Sequence, residues 1–389
     1  MRTRMSTRIE THHRRTVVGM LKPIAVLACA VLLGLTGCGD DTTEGSTDEL
    51  QAFYDTLREQ AAAFDYVEGE YFDDYSDANF YALAFYARVG VELEDAAYLQ
   101  RADEIHDYDL SVLQQANSDP EWSAEHLEEV LYAALGLIEH ASATGETDAI
   151  ATLDTFIDLS NFLVGIYDNY LDVSLGEYAA DTYGPTSITG GLALLNLQYA
   201  KYLDTPRTQD RIDAAVEIVQ AIDEQAFDGE RYLFRPGEDK LFLYPNSIMI
   251  LVLNRLYELT GDRDYLERAE TAFEGVAPLR HELGFYRSPY SAEYMGAQTD
   301  EYSTLSSQNY FNLALLLLYQ NTGKQIYLER FEEILTFLRL NLYDDAQGRL
   351  LHHWIDGHIA HPDDLEYFCS GCNLQFLYIV WYLKSVVGV

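Results

Sequence analysis

Two tyrosine-containing segments of the sequence carry carboxylates that could act as a pair. Asp181 lies in Ala-Ala-Asp-Thr-Tyr-Gly-Pro, and Asp300 and Glu301 lie in Gln-Thr-Asp-Glu-Tyr. An acid and a base or nucleophile that flank a glycosidic bond, about 5 to 9.5 Å apart, can hydrolyse that bond. We therefore expect Asp181 to form a catalytic dyad with Asp300 or Glu301, and Glu366 to be a further carboxylate that contacts the substrate.

Other side chains could move protons without a carboxylate pair. His353, Tyr183 and Tyr294 could remove the proton next to a carbonyl or carboxylate, which is the step that lyases and epimerases need. Arg287 could neutralise a uronate carboxylate through charge-assisted hydrogen bonds. Trp354 could stack on the face of a sugar ring. These residue types leave hydrolysis and proton abstraction both open.

Two cysteines form a Cys-x-x-Cys motif at the start of a predicted helix, at Cys369 and Cys372. A helix N-terminus stabilises a thiolate, so the pair could be redox-active, or could bind zinc together with His353 and His358. An oxidising compartment favours a structural disulfide or buried thiols instead. Because the sequence contains no dinucleotide-binding, P-loop, HExxH or EF-hand motif, we expect no cofactor, with zinc at these residues as the alternative.

The composition excludes one large class of partner. The chain has 389 residues, of which 64 are acidic and 25 are basic, so its formal net charge is −39. Nucleic-acid binding needs Lys and Arg to neutralise phosphates, so we expect no nucleic-acid partner. Hydrophobic residues make up 48% of the chain, far more than a disordered acidic chain carries, and this content predicts a large packed core.

The N-terminus of the sequence resembles the export signal of a bacterial lipoprotein. Basic residues precede an apolar run at 24–37, which is too short to span a membrane and ends in Leu-Thr-Gly before Cys38. That ending is similar to a lipobox, in which the cysteine thiol receives the lipid. The resemblance implies a signal peptide at 1–37, a flexible tether at 38–48 and a folded domain at 49–389. We expect an exported chain, at the outer membrane or cell surface, that contacts the membrane through its lipid only.

Two kinds of helix are predicted to alternate along the rest of the chain. The segments that are apolar on nearly every side are 79–91, 125–141, 188–202, 247–259, 307–320 and 373–386. The segments with one apolar face are 47–65, 96–115, 147–168, 207–226, 263–277 and 325–342. A helix that is apolar all round must be enclosed, whereas a one-sided helix can face water. The alternation therefore predicts an inner ring of helices within an outer ring.

A recurring turn followed by Tyr-Leu-Glu-Arg, at 259–268 and again at 321–330, indicates repeated helical hairpins. With this alternation the chain resembles the six-hairpin glycosidase-like proteins, over about residues 47–386. The resemblance implies an all-α fold, the (α/α)6 toroid, and a carbohydrate substrate. The family includes glycoside hydrolases, sugar epimerases and polysaccharide lyases, and we expect a hydrolase first. An open tetratricopeptide-like solenoid and a non-catalytic glycan- or protein-binding lipoprotein are the alternatives.

Long and short connections alternate between these helices. The long ones, which lead from a one-sided helix to an apolar helix, are 67–77, 170–187, 227–246, 283–306 and 342–371. Since every inner helix of a toroid starts at the same end of the ring, the long connections should gather there and form a mouth. Long ordered loops in a compact domain commonly carry function. We therefore expect the candidate site residues to meet at that mouth.

We expect Cys38→Ala to abolish incorporation of a radiolabelled fatty acid into the exported chain, because the thiol that would receive the lipid is lost. Cys29→Ala is the matched control, since Cys29 would leave with the signal peptide. Autoradiography of the immunoprecipitated chain measures both. Undiminished labelling of the Cys38→Ala chain would show that the anchor prediction is wrong.

Overall fold

The computed structural model describes residues 43–61, 64, 66–67, 70–71, 78–166, 184–237, 241–288, 302–355, 358–359 and 369–387. Within them, none of the helices combines the length and the apolar character of a membrane-spanning segment. The fold is built almost entirely from α-helices, with short strands at one end.

Six helices form a closed inner ring. They are α2 (Ala78–Leu93), α5 (Leu127–Thr144), α7 (Gly184–Tyr202), α9 (Leu243–Thr260), α11 (Leu305–Thr322) and α13 (Ser370–Val387). Each packs against the next in this order, and α13 packs against α2. This last contact closes the ring, so the open solenoid is excluded.

Six further helices form the outer layer, and a short helix and a 3₁₀ turn accompany them. The outer helices are α1 (Thr43–Ala61), α3 (Ala96–Ser118), α6 (Ile150–Ile166), α8 (Thr208–Ala226), α10 (Arg263–Gly275) and α12 (Gln325–Asn341). The short helix is α4 (Pro120–Glu125), and the 3₁₀ turn is Ala277–Leu279. The N-terminal helix α1 packs on α13, the last inner helix, as expected. The predicted (α/α)6 toroid is therefore confirmed.

Burial follows the two kinds of helix that the sequence predicts. In α11, every residue from 307 to 318 except Leu313 is buried. In α10, by contrast, the buried residues are Leu266, Ala269 and Ala272, which recur every third residue along one face. A helix enclosed on all sides has to be apolar all round, whereas a one-sided helix needs only a stripe.

The short connections at the far end of the ring, where the inner helices end, have a common design. Gly261 follows α9 and Gly323 follows α11, each with a positive φ that caps the helix in the left-handed conformation. A residue with a Cβ is strained there, which explains the glycine. The side chain of Asp262 then accepts a hydrogen bond from the backbone N–H of Asp264 and starts α10.

Short strands lie at the mouth, the end of the ring where the inner helices begin. Strand β3 (Tyr302–Thr304) leads directly into α11, and it pairs antiparallel with β6 (His353–Ile355), which pairs with β7 (His358–Ile359). Two-stranded hairpins precede α2 and follow α12; their strands are β1 (Tyr66–Val67), β2 (Glu70–Tyr71), β4 (Tyr343–Asp344) and β5 (Arg349–Leu350). The connections before α11 and α13 thus meet at one end of the ring, as expected.

A buried amide at the fourth residue of an inner helix holds each of three connections at the mouth. In α9, Asn246 Oδ1 accepts from the N–H of Tyr232 at 2.8 Å, and its Nδ2 donates to the carbonyl of Tyr232 at 2.9 Å. Gln308 in α11 and Asn373 in α13 make the same pair of bonds to Tyr286 and Leu350. The side-chain amides complete the backbone hydrogen bonding of loop residues that are buried away from water.

The N-terminal helix and one short helix differ from the sequence prediction. Helix α1 begins at Thr43, four residues before the start at 47 that the sequence predicts for the first one-sided helix. Helix α4 was not predicted; Asp119 caps it by accepting from the N–H of Trp122, and Pro120 stands at its first position.

We expect Asn246→Ala to lower the free energy of unfolding by about 2–4 kcal/mol, because it leaves a buried N–H and a buried carbonyl of Tyr232 without this partner. Gln209→Ala, which removes an exposed side-chain bond to Asp213, is the control and should cost less than about 0.5 kcal/mol. Urea denaturation followed by circular dichroism measures both. Equal small losses would mean that the amide does not hold the loop.

Candidate functional site

Four tyrosines on four inner helices meet near the mouth. This tyrosine cluster consists of Tyr81 on α2, Tyr132 on α5, Tyr244 on α9 and Tyr310 on α11. The hydroxyl of Tyr310 donates to the hydroxyl of Tyr132 at 3.0 Å, and the hydroxyls of Tyr132 and Tyr244 are 2.9 Å apart. Three of the four hydroxyls, those of Tyr310, Tyr132 and Tyr244, therefore form a chain that links α11, α5 and α9.

The rings of the cluster also pack on one another. Tyr244 and Tyr310 meet edge to face with centroids 4.9 Å apart, and Tyr81 meets Tyr310 in the same way at 6.0 Å. Phe80 stacks on Tyr132 at 6.1 Å. These contacts fix the ring orientations and so fix the positions of the hydroxyls.

A small cavity runs below the tyrosine cluster along the axis of the ring. All six inner helices line it. Its volume is ≈ 40 Å³, which is room for about three waters. Buried oxygens of Ser187, Gln198 and Glu139 along this cavity have no hydrogen-bond partner among the described residues and could bind such waters.

A buried ion-pair network fills the far end of the ring. Glu139 lies seven residues after Tyr132 on α5, or about 10 Å further along the helix, and accepts from Arg88 Nη2 at 2.7 Å. On α9, Glu258 accepts from Lys201 Nζ at 2.6 Å and from Arg255 Nη1 at 2.7 Å. These pairs occupy the ring at the end opposite to the mouth.

The network sets the charge states of its members. Burial would raise the pKa of Glu258, but Arg255 and Lys201 lower it further than burial raises it, so the pKa falls below its ordinary value. Burial, and then the charge of Arg255, lower the pKa of Lys201. Glu258 therefore stays ionised, which suits a fixed ion pair better than a proton donor.

A histidine and a tyrosine are paired on the sheet at the mouth that β3, β6 and β7 form. The hydroxyl of Tyr302 on β3 lies 2.6 Å from Nδ1 of His353 on β6, and both side chains are buried. The neighbouring His352 is also buried, and burial followed by the charge of His353 holds its pKa well below the ordinary value. His352 is therefore neutral. Among the described residues at the mouth, Tyr302 and His353 form a pair that could transfer a proton.

Two further predicted substrate-binding residues have different surroundings. Trp354 is 3% exposed and packs against Phe285, with centroids 4.6 Å apart, and against Phe337 at 5.7 Å. This burial places the Trp354 ring in the core, behind the sheet, and not on an open sugar-binding surface. Arg287 is half-buried on the connection before α11, where its N–H donates to the carbonyl of Leu279.

The remaining predicted site residues lie outside the described residues. They are Cys38, Asp181, Tyr183, Tyr294, Asp300, Glu301 and Glu366. The side chain of His358 is outside them as well, although its backbone belongs to β7.

The two cysteines are joined. Cys369 and Cys372 form a disulfide with their Cα atoms 5.3 Å apart, and both are buried at the start of α13. His352, rather than the predicted His353, brings a ring nitrogen within 4.8 Å of the sulfurs. In the disulfide neither sulfur is a thiolate, so this form offers no thiolate ligand to a metal.

Sequence reasoning missed the tyrosine cluster. The signal was present as isolated tyrosines in otherwise aliphatic or amide-containing stretches, in Val-Leu-Tyr-Ala, Phe-Leu-Tyr-Pro and Gln-Asn-Tyr-Phe. Helical periodicity shows that an inner helix is buried all round, but it does not show which side faces the axis.

We expect Tyr132→Phe to lower the free energy of unfolding by about 1–3 kcal/mol, because its hydroxyl bonds both Tyr310 and Tyr244. Tyr310→Phe should then cost at least about 0.5 kcal/mol less in the Tyr132→Phe chain than in the wild type. A double-mutant cycle by urea denaturation measures this coupling. Strictly additive losses would contradict the hydroxyl chain.

The comparisons with known proteins agree with the architecture. No protein-family profile and no curated protein sequence matches the chain. The cellobiose 2-epimerase of Spirochaeta thermophila matches at a TM-score of 0.66 and 14% identity, over 89% of this chain and 100% of that one. A D-mannose isomerase matches at 0.65 and 14%, over 87% and 97%. A glycosyl hydrolase family 88 structure from Bacteroides vulgatus matches at 0.60 and 14%, over 87% and 99%. The chain shares its toroid fold with these proteins.

Proposed function

We propose that the chain is an exported enzyme that acts on a carbohydrate at the mouth of the toroid, as a glycoside hydrolase. The observation that carries the proposal is the tyrosine cluster, which spans the mouth end of the closed inner ring while ion pairs fill the far end. The similar structures are named for an epimerase, an isomerase and a glycosyl hydrolase, all of which concern sugars.

The tyrosine cluster has the chemistry that a sugar needs. The face of a pyranose ring presents C–H groups that pack on aromatic rings, and its hydroxyls exchange hydrogen bonds with phenol hydroxyls. The cavity below the cluster has room for water only, so the sugar rests on the cluster and does not pass through the ring. The substrate would then lie at the mouth, the end of the ring at which α7 and α11 begin.

Chain connectivity supports Asp181, Asp300 and Glu301 as the acids. Asp181 precedes the first residue of α7 by three positions, and Glu301 directly precedes Tyr302 of β3. Helices α7 and α11, which these segments enter, both pack on α9 in the inner ring. One carboxyl group would protonate the leaving oxygen, and the other would act as base or nucleophile.

The second candidate is a sugar epimerase or isomerase on the same scaffold. The specific observation in its favour is the 2.6 Å contact between the Tyr302 hydroxyl and His353 Nδ1 at the rim. An imidazole held by a phenol is a suitable residue type to remove the proton next to a sugar carbonyl. In that case His353 would be the base, and the carboxylates would orient the substrate.

We also propose that the protein is a lipoprotein, anchored through Cys38 at the outer membrane or cell surface. The support is the Leu-Thr-Gly-Cys sequence after the apolar run, together with a folded body whose net negative charge opposes direct binding to anionic lipids. A substrate outside the cytoplasm fits a glycan-processing role.

We expect Asp181→Asn, Asp300→Asn and Glu301→Gln, tested one at a time, to show which acids act in hydrolysis. Loss of a catalytic acid or base should lower turnover of the best substrate in a glycan panel by about 10²–10⁴-fold. Glu217→Gln, which neutralises an exposed carboxylate on α8, is the control. The release of reducing ends measures turnover.

Three outcomes separate the hypotheses. Hydrolysis that survives all three substitutions would contradict the proposed dyad. Deuterium incorporation from D₂O into a free sugar, lost in His353→Gln and Tyr302→Phe, would indicate the epimerase or isomerase instead. Saturable glycan binding with neither reaction would indicate a non-catalytic binding protein.

A further inference from the structure

Two buried histidines lie side by side at the far end of the ring, away from the mouth. His106 belongs to the outer helix α3 and His140 to the inner helix α5, and their ring centroids are 4.6 Å apart. His106 is 4% exposed and His140 is 1% exposed. The connection from α5 to α6 passes over them and carries Glu146 and Asp148.

The side chains around this pair converge on it. One ligand atom each from His106, His140 and Glu146 lie within 4.8 Å of one another. Asp148 Oδ1 is 3.4 Å from His106 Nε2, and Asp103 Oδ1 is 3.7 Å from His140 Nε2. The cluster thus combines two imidazoles with several carboxylates from three parts of the chain.

The hydrogen-bonding of His140 is incomplete. Both of its ring nitrogens are buried, and neither has a hydrogen-bond partner among the described residues. A buried polar group normally has a partner, and leaving it without one costs about 1–3 kcal/mol. A neutral imidazole has one nitrogen lone pair that can bind a metal, and its other nitrogen carries a proton that a carboxylate can accept.

The charged side chains that contact the two histidines are all acidic. Four carboxylates surround them, those of Asp103, Asp107, Glu146 and Asp148. Among the described residues, no Lys or Arg forms an ion pair with any of the four. A bound cation would balance this charge.

We propose that His106, His140 and Glu146 form a zinc-binding site, with Asp148 as a further ligand. Two imidazoles and one carboxylate are a common ligand set for Zn²⁺. Tetrahedral zinc ligands at about 2.0–2.1 Å from the ion lie about 3.4 Å apart, so the cluster has to contract slightly. Glu146 is exposed and Asp148 is 59% exposed, which leaves both free to move inwards.

A further carboxylate contacts one of the proposed histidine ligands. Asp107 Oδ1 lies 3.4 Å from His106 Nδ1, on the nitrogen opposite to the one that faces Asp148. A carboxylate at that position orients a metal-binding imidazole and increases its basicity. The ion would join α3, α5 and the connection to α6, so its role is to stabilise the far end of the toroid.

The test is zinc binding by the full exported chain, purified in detergent, stripped with EDTA and kept in non-reducing buffer so that the Cys369–Cys372 disulfide persists. Isothermal titration with zinc chloride should show one ion per chain, and zinc should raise the melting temperature. The double variant His106→Gln/His140→Gln should lose the bound ion. His126→Gln, which changes a half-buried histidine at the other end of α5, is the matched control.

A second variant keeps the test valid if the histidine variant does not fold. Glu146→Gln/Asp148→Asn changes exposed side chains only, and it should raise the Kd for zinc at least tenfold, as loss of supporting or direct ligands does. Glu217→Gln is the control for charge. Zinc binding that is unchanged in both double variants, or wild-type chain that binds no zinc in the titration, would overturn the proposal.

Discussion

The contact between α13 and α2 is the constraint on which the rest of the structure depends. Inner helices such as α9, with thirteen buried residues, expose apolar side chains in every direction and cannot stand at an open edge. An open array would leave α2 and α13 each with an uncovered apolar side. Closing the ring covers both at once, and α1 then covers the outer face of α13. The hydrophobic effect therefore selects a ring rather than a superhelix.

Closure also decides where chemistry can take place. Because all inner helices run in the same direction along the axis, the connections that enter them gather at one end, and the buried amides of Asn246, Gln308 and Asn373 hold three of these connections in place. The opposite end is filled by ion pairs around Glu139 and Glu258. The tyrosine cluster lies on the mouth side of these ion pairs, and its members Tyr81, Tyr132 and Tyr310 are buried. Ring contacts and hydroxyl bonds among its own members help to hold the cluster.

The sequence predicted the helices well and the site only in part. Twelve helices follow from whether apolar residues surround a segment or mark one face, and the observed bounds lie within a few residues of those predicted. Which side chains face the ring axis depends on how the six inner helices pack, so it could not be predicted, and Tyr132 and Tyr244 were missed for this reason. Trp354 was expected to stack on a sugar because of its ring type, but it lies in the core. His106 and His140 are separated by a whole helix, and only packing brings them together. The zinc alternative combined His353 and His358 with Cys369 and Cys372, whereas among the described residues it is His352 that groups with the two cysteines.

The most direct test of the account is a crystal structure of the chain with an oligosaccharide that it binds. The account predicts a sugar ring resting on Tyr132 and Tyr244 at the mouth, with its glycosidic oxygen within hydrogen-bond reach of Asp181, Asp300 or Glu301. A sugar bound at the far end of the ring, or on the outer helices with the tyrosine cluster covered by other parts of the chain, would contradict it.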